Sequence, residues 1–354
     1  MITARIRADL ESVPIYVPGR AIPGAVKLAS NEVSAGPLPS VVAAIAAAAA
    51  GINRYPDNEV TALLERLAAR LEVPQSHLAA GSGSVALCQQ LVQATCGRDD
   101  EVLFAWRSFE AYPLIAQVAG VRPRTVPLRR DHTHDLTAML DAITPATRLV
   151  FVCSPNNPTS TAIRRDELVA FLDAVPAGVL VALDEAYHEF VTDPAVPDGV
   201  ALHRDDVDRG NLAVLRTFSK AYGLAGLRVG YCVAPEPIVT ALRKVSVPFS
   251  VNSLAQVAAL ASLDVADELL ARCQGITAER DRVRAELLTM GYPVPDSQAN
   301  FVWLPLGERT AAFNDHCLEH KIVVRPYPGD GARVTVGDPA ENDAFLTAAR
   351  SFPR

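Results

Sequence analysis

Amines are the scarcest reactive groups in this chain. It has four lysines, Lys27, Lys220, Lys244 and Lys321, against 29 arginines. Lys220 stands in the run TFSKAYGLAGLR, residues 217–228, between Ser219 and Arg228. A lysine amine can form an imine with an aldehyde, the first step of Schiff-base catalysis. If the aldehyde sits on a pyridine ring, the ring draws electrons only while its nitrogen stays protonated. A buried carboxylate holds that proton by charge pairing, and Asp184 in DEAY is the candidate. Tyr187 in the same run, with Asn157 in SPNNPT, can hydrogen-bond a ring oxygen. Ser219 and Arg228 offer a hydroxyl and a cation to an anionic group such as phosphate. A second anion feature is Gly81-Ser82-Gly83-Ser84, which opens a helical pattern with Val85, Cys88 and Val92 on one face. Glycines let backbone amides approach an anion at a helix N-terminus, although a plain turn and cap explains that run equally well. Each feature has an ordinary reading: Asp184 a helix cap, Tyr187 a core aromatic, SPNNPT a turn, Lys220 a surface lysine. Together those readings require four separate accidents.

What brings the features together is their place on the elements. Short apolar runs at 101–104, 149–153, 179–183, 212–216 and 229–233 read as strands, and periodic stretches such as 167–174 read as the helices between them. This alternation predicts an α/β domain with a mostly parallel sheet. SPNNPT, DEAY and the lysine run each follow the carboxyl end of a strand, where open parallel sheets bind ligands. After Pro235 the pattern changes to helical stretches at 237–244 and 251–290, then to strand-like runs at 300–304, 322–325 and 333–336. The expected organisation is an N-terminal arm (1–30) packed on the small domain or a partner, a large domain (31–235) and a smaller α+β domain (236–354).

Composition narrows the class. At 354 residues the chain suits two domains, and 49% apolar content supplies a sizeable core. A net charge of −7 argues against a nucleic-acid partner. None of the six cysteines forms a C-x-x-C pair, which favours reduced core thiols in a cytoplasmic protein over disulfides or zinc. The apolar run at 41–50 is too short to span a membrane, and the first residues carry no apolar leader segment. His132 and His134 in DHTHD suggest a metal pair, but the charged, loop-like setting favours plain solvation at the surface, so no metal is expected. No G-x-G-x-x-G follows the first strand, which argues against an NAD enzyme.

SPNNPT, DEAY and SKAYGLAGLRVGY, in this order and at these separations, resemble the PLP-dependent transferases of fold type I, in particular the histidinol-phosphate aminotransferase group. The likeness extends to YVPGR (16–20), KLASNE (27–32), NRYPD (53–57), WRSFEAYP (106–113), NFVWLP (300–305) and RVTVG (333–337). It implies pyridoxal 5'-phosphate (PLP) as cofactor, with Lys220 as the Schiff-base lysine and proton carrier. Asp184 would then pair with the pyridine nitrogen, Asn157 and Tyr187 bind the ring oxygen, and Phe109 stack on the ring. Ser82, Gly83, Ser219 and Arg228 would hold the phosphate, joined by Tyr55 from the other subunit of a homodimer with shared active sites. Arg333 would clamp the substrate α-carboxylate, a bidentate task suited to a guanidinium.

The substrate turns on the arm. Many relatives follow the SNE run with Asn-Pro, whereas this chain has Val33-Ser34. With YVPGR, LASNE, GPLPSV and WRSFE, the chain looks more like the aromatic amino acid aminotransferase branch. Tyr16 offers a ring and Arg20 a cation to the substrate's side chain. The expected reaction is transamination between phenylalanine, tyrosine or tryptophan and 2-oxoglutarate. Histidinol phosphate is the alternative amino donor, and a PLP decarboxylase of the same fold is a further one.

Overall fold

Inside the large sheet, strand residues alternate between two buried faces. Leu103, Val150, Val152, Val181, Leu183 and Val214 join one apolar cluster, while Phe104, Leu149, Phe151, Ala182, Ala213 and Leu215 join another. A strand that is apolar at both parities must be covered on both faces, as parallel sheets are. The computed structural model describes residues 4, 6–15, 22–206 and 209–353, and the strands among them are β1 (Val26–Lys27), β2 (Leu78–Gly81), β3 (Glu101–Trp106), β4 (Arg122–Pro127), β5 (Thr147–Cys153), β6 (Leu180–Asp184), β7 (Leu212–Thr217), β8 (Gly230–Val233), β9 (Phe301–Leu304), β10 (Ile322–Val323), β11 (Arg325–Tyr327) and β12 (Gly331–Thr335). Seven of them form the order β2-β8-β7-β6-β5-β3-β4. The pairs from β4 across to β7 are parallel, and β8 runs antiparallel to both β7 and β2.

A second sheet, β11-β12-β9, is antiparallel and packs on the helices Thr310–Glu319 and Pro339–Ser351 through a third cluster that includes Val302, Val334, Phe313 and Phe345. The last helix opens with a capping box: Asp338 accepts from the amide of Glu341, and Glu341 accepts from the amide of Asp338. Near the N-terminus, β1 pairs in parallel with β10. This pairing carries residues 28–32 past β12, where Thr335 donates its amide to the carbonyl of Leu28.

Four elements differ from the sequence expectation. The stretch 251–290 is two helices, Ser253–Asp264 and Ala266–Thr289, interrupted at Val265, whose φ of −116° and ψ of 26° leave the helical region. The run 322–325 is divided between β10 and β11, which pair with different partners. Strands β2 and β4 were not expected; β4 reads RPRTVP, with only Val126 buried, so its sequence lacks an apolar signature. Corrected too is His134: it is buried at 3% exposure, and burial lowers its pKa to about 4, so it is a neutral core residue and not a solvated one.

Behind the carboxyl ends of β6 and β7 lies a buried ion pair. Arg216 donates from Nε and Nη2 to Glu185 Oε2 at 3.0 and 2.8 Å, and from Nη2 to Asp198 at 2.6 Å. Glu185 also accepts the amide of Gly199 at 2.7 Å. The clamp joins two adjacent strand ends at the residue after Asp184. Glu185→Gln should lower unfolding stability by about 3 kcal/mol, because it leaves a buried guanidinium short of its counter-charge. Denaturant unfolding measures this, and a loss under about 1 kcal/mol would mean that Asp198 alone satisfies Arg216.

Candidate active site

The carboxyl ends of β5, β6 and β7 open into one cavity of about 410 Å³. Cys153 at the end of β5 and Asn157 after it enter the cavity, as do Asp184 at the end of β6 with Tyr187 after it, and Ser219 and Lys220 after β7. Residues 29–32 and Arg333 of β12 close it from the other side.

Asp184 and Lys220 lie in this cavity with no opposite charge bonded to them. Asp184 accepts from the Tyr112 hydroxyl at 2.8 Å and from the Ala186 amide at 3.2 Å. Burial raises its pKa to about 6; the Tyr112 and Ala186 bonds oppose the shift and Glu185 adds to it. Lys220 Nζ donates to the carbonyl of Ser30 at 3.2 Å. Burial lowers its pKa to about 7, helped by the positive charges of Arg333 and Arg228 and opposed by Glu32. A desolvated carboxylate and a desolvated amine thus line the same space, and each gains from a ligand that brings it a partner.

At one end the cavity is built for an anion. The helix Ser84–Thr95 points its N-terminus inward, and no side chain caps it. Gly83 stands before it at φ +81°, and a Cβ there would collide with Arg228 Nη2. Glycine is therefore what lets the guanidinium lie across the helix end. Arg228 also donates to Ser219 Oγ at 3.3 Å. A helix N-terminus, a guanidinium and a hydroxyl together favour a phosphate.

Arg333 is held by neutral groups. It donates to Asn157 Oδ1 at 2.5 Å, to the carbonyl of Ala29 at 2.6 Å and to the Tyr327 hydroxyl at 3.3 Å, and its buried Nε has no partner. The charge remains for a ligand carboxylate. Tyr187 accepts from Asn31 Nδ2 at 2.9 Å, and its ring meets Phe301 edge to face.

Of the residues singled out in the sequence, Phe109, Asn157, Asp184, Tyr187, Ser219, Lys220, Arg228 and Arg333 line the cavity. Ser82 and Gly83 lie just before the helix, whereas Ser84 and Val85 of its first turn reach the lining. Tyr55 is 82% exposed and stacks on Phe249, away from this cavity. Tyr16 and Arg20 lie outside the described residues. Sequence reasoning missed Tyr112, Asn31 and Glu110. Tyr112 and Glu110 sit inside WRSFEAYP, but only the fold brings that run against β6 and β11.

The family model described as aminotransferase class I and II matches residues 23–348. The chain belongs to this family. It is 61% identical over 350 residues to the aromatic amino acid aminotransferase of Rhodococcus jostii (strain RHA1), covering 99% of this chain and 96% of that one. The protein of the same name from Streptomyces coelicolor is 55% identical, covering 98% and 97%. Among solved structures, the histidinol-phosphate aminotransferase of Sinorhizobium meliloti in complex with pyridoxal-5'-phosphate is similar, with a TM-score of 0.90 and 29% identity, covering 99% of this chain and 98% of that one. The enzyme therefore has the α/β architecture of fold-type I PLP aminotransferases.

The donor set of this aminotransferase fits that cofactor. PLP carries a phosphate, a protonatable ring nitrogen and an aldehyde, and the cavity has an anion cradle, an unpaired buried carboxylate and an unpaired amine. The fit predicts a stability effect in the cofactor-free protein. The pKa of Asp184 rises on folding from 3.8 to about 6, so the folded state keeps a proton that the unfolded chain has lost. Stability from this group therefore falls as pH rises through that window, and the full cost is present above it. Asp184→Asn should stabilise the cofactor-free protein at pH 7.5 by about 1–3 kcal/mol, with the difference closing near pH 4. Equal urea midpoints at pH 7.5 would contradict the desolvation.

Proposed function

We propose that this aminotransferase uses PLP to pass an amino group between an aromatic amino acid (phenylalanine, tyrosine or tryptophan) and 2-oxoglutarate, giving the aromatic 2-oxo acid and glutamate. The observation that carries the reading is the presence of unpaired Lys220 and unpaired Asp184 in one cavity, in a chain 55–61% identical along nearly its whole length to relatives named for aromatic amino acids.

In this reading Asp184 would hold the cofactor's ring nitrogen, with Tyr112 keeping the carboxylate aimed. Asn157 and Tyr187 would hold the ring oxygen, and Phe109 would lie against the ring. Ser82, Gly83, Ser219 and Arg228 would hold the phosphate. Bound PLP supplies an electron sink for the pair left behind when a proton leaves the substrate Cα. Lys220 Nζ would be the base that takes this proton and hands it back in the transfer. Its depressed pKa favours the neutral, proton-accepting form. Arg333 would clamp the α-carboxylate with the Nε left unpaired in its present bonds, and so orient the Cα–H bond. The second half-reaction reverses the path with 2-oxoglutarate on the same arginine.

A homodimer is part of the proposal. Exposed Tyr55, stacked on exposed Phe249, suits a residue that serves a neighbouring subunit's phosphate site. Tyr16 and Arg20 would contribute to the substrate pocket. A cytoplasmic site accords with the free state of all six cysteines.

Steady-state kinetics with phenylalanine and histidinol phosphate side by side test the substrate. Phenylalanine should have a kcat/KM at least about tenfold higher, in keeping with the relatives named for aromatic amino acids. A tenfold preference for histidinol phosphate would reverse the assignment. Lys220→Ala should lose at least about a thousandfold in kcat, and activity near wild type would remove the lysine from the mechanism. Tyr55→Ala and Lys220→Ala subunits, each impaired alone, should regain activity when refolded together, because one hybrid site then holds both native residues. No recovery would mean that Tyr55 does not act across subunits.

A further inference from the structure

Arg325 and Arg333 are directly opposed on β11 and β12. Side chains at such positions share one face of the ribbon, with Cβ atoms about 5 Å apart. Both line the cavity, and Tyr327 touches both: its hydroxyl accepts from Arg333 at 3.3 Å, and Arg325 Cζ lies 5.9 Å from its ring centre. Two guanidiniums side by side suit the two carboxylates of a dicarboxylic acid. They suit a substrate with one carboxylate and an apolar ring poorly, because the second cation would lose water without gaining a partner.

The two arginines differ in what holds them. Arg333 has neutral partners, whereas Arg325 is bonded to Glu110 Oε2 at 2.9 Å. Glu110 directly precedes the helix Ala111–Ala119, where a carboxylate is free to cap the first amides, yet it makes no capping bond. It points instead across the cavity mouth to Arg325, and both side chains keep some solvent access, at 30% and 16% exposure.

We propose that Glu110 determines specificity as the exchangeable counter-charge of Arg325. With an aromatic substrate it stays paired and presents a neutral end to the ring. With a dicarboxylic partner it yields Arg325 to the distal carboxylate. One residue thereby lets one cavity take both members of the reaction, and the inference rests on the aromatic and 2-oxoglutarate pairing given above.

The experiment compares two unreactive analogues on the PLP-loaded enzyme, glutarate with two carboxylates and 3-phenylpropionate with one carboxylate and a ring. Calorimetric titration gives the ratio of their Kd values for wild type and for Glu110→Gln, which keeps the shape and removes the charge. The ratio should shift at least tenfold toward glutarate in the variant. A Glu110 that merely ties the loop to the hairpin would change both affinities together or neither, and an unchanged ratio overturns the proposal. Phenylalanine turnover by wild type is read separately. Its absence would remove the aromatic reading, while the analogue ratio still decides the role of Glu110.

Discussion

The site depends on two desolvated charges kept apart. Asp184 and Lys220 line one cavity, and the protein gives neither an opposite charge to bond. Left alone, each drifts toward its neutral form, which is what the raised and lowered pKa values express. Folding therefore holds a cost that a ligand with a basic nitrogen and an electrophilic carbon removes. This cost makes the cavity selective for such a ligand, and it requires the surrounding structure to prevent the two groups from meeting.

The parallel sheet provides that restraint. Asp184 ends β6 and pairs with Leu215 of β7, the adjacent strand that leads to Lys220, so the ladder fixes where each segment leaves the sheet. Behind them, Arg216, Glu185 and Asp198 tie the same strand ends together. Tyr112, stacked on Phe151 with centroids 4.3 Å apart, aims the Asp184 carboxylate from the neighbouring helix. Gly83 performs a comparable task at the anion end, where the missing Cβ makes room for Arg228. Rigid elements fix the chemistry, and the small hairpin of β11 and β12 brings two guanidiniums, Arg325 and Arg333, suited to substrate.

That hairpin is also where discrimination is concentrated. Arg333 and Arg325 stand opposite one another but in different electrostatic states, one bonded to neutral acceptors and one to Glu110. A reaction that alternates between a ring and a second carboxylate needs a charge that can be offered and withdrawn. An ion pair with partial solvent access at the cavity mouth has that property, whereas the sealed Arg216–Glu185 pair does not.

The sequence by itself determined the parallel core and its cargo. Apolar runs separated by helical periods gave most of the large sheet, and the segments after β5, β6 and β7 already contained Asn157, Asp184, Tyr187, Ser219, Lys220 and Arg228. These were legible because strand ends and their loops are local: periodicity locates the strand, and the next few residues face the ligand. Other features were decided only in three dimensions. β4 lacks an apolar pattern because its parallel pairing with β3 supplies what its own residues do not. The break at Val265 has no proline or glycine to announce it. His134 looked solvated within a charged run, yet its side chain turns into the core. Tyr112 reaches Asp184 across 72 positions of chain, and Arg325 reaches Glu110 across 215. Contacts at such separations leave no trace in local spacing, so Lys220 could be singled out from the chain alone, while Tyr112 and Glu110 could not.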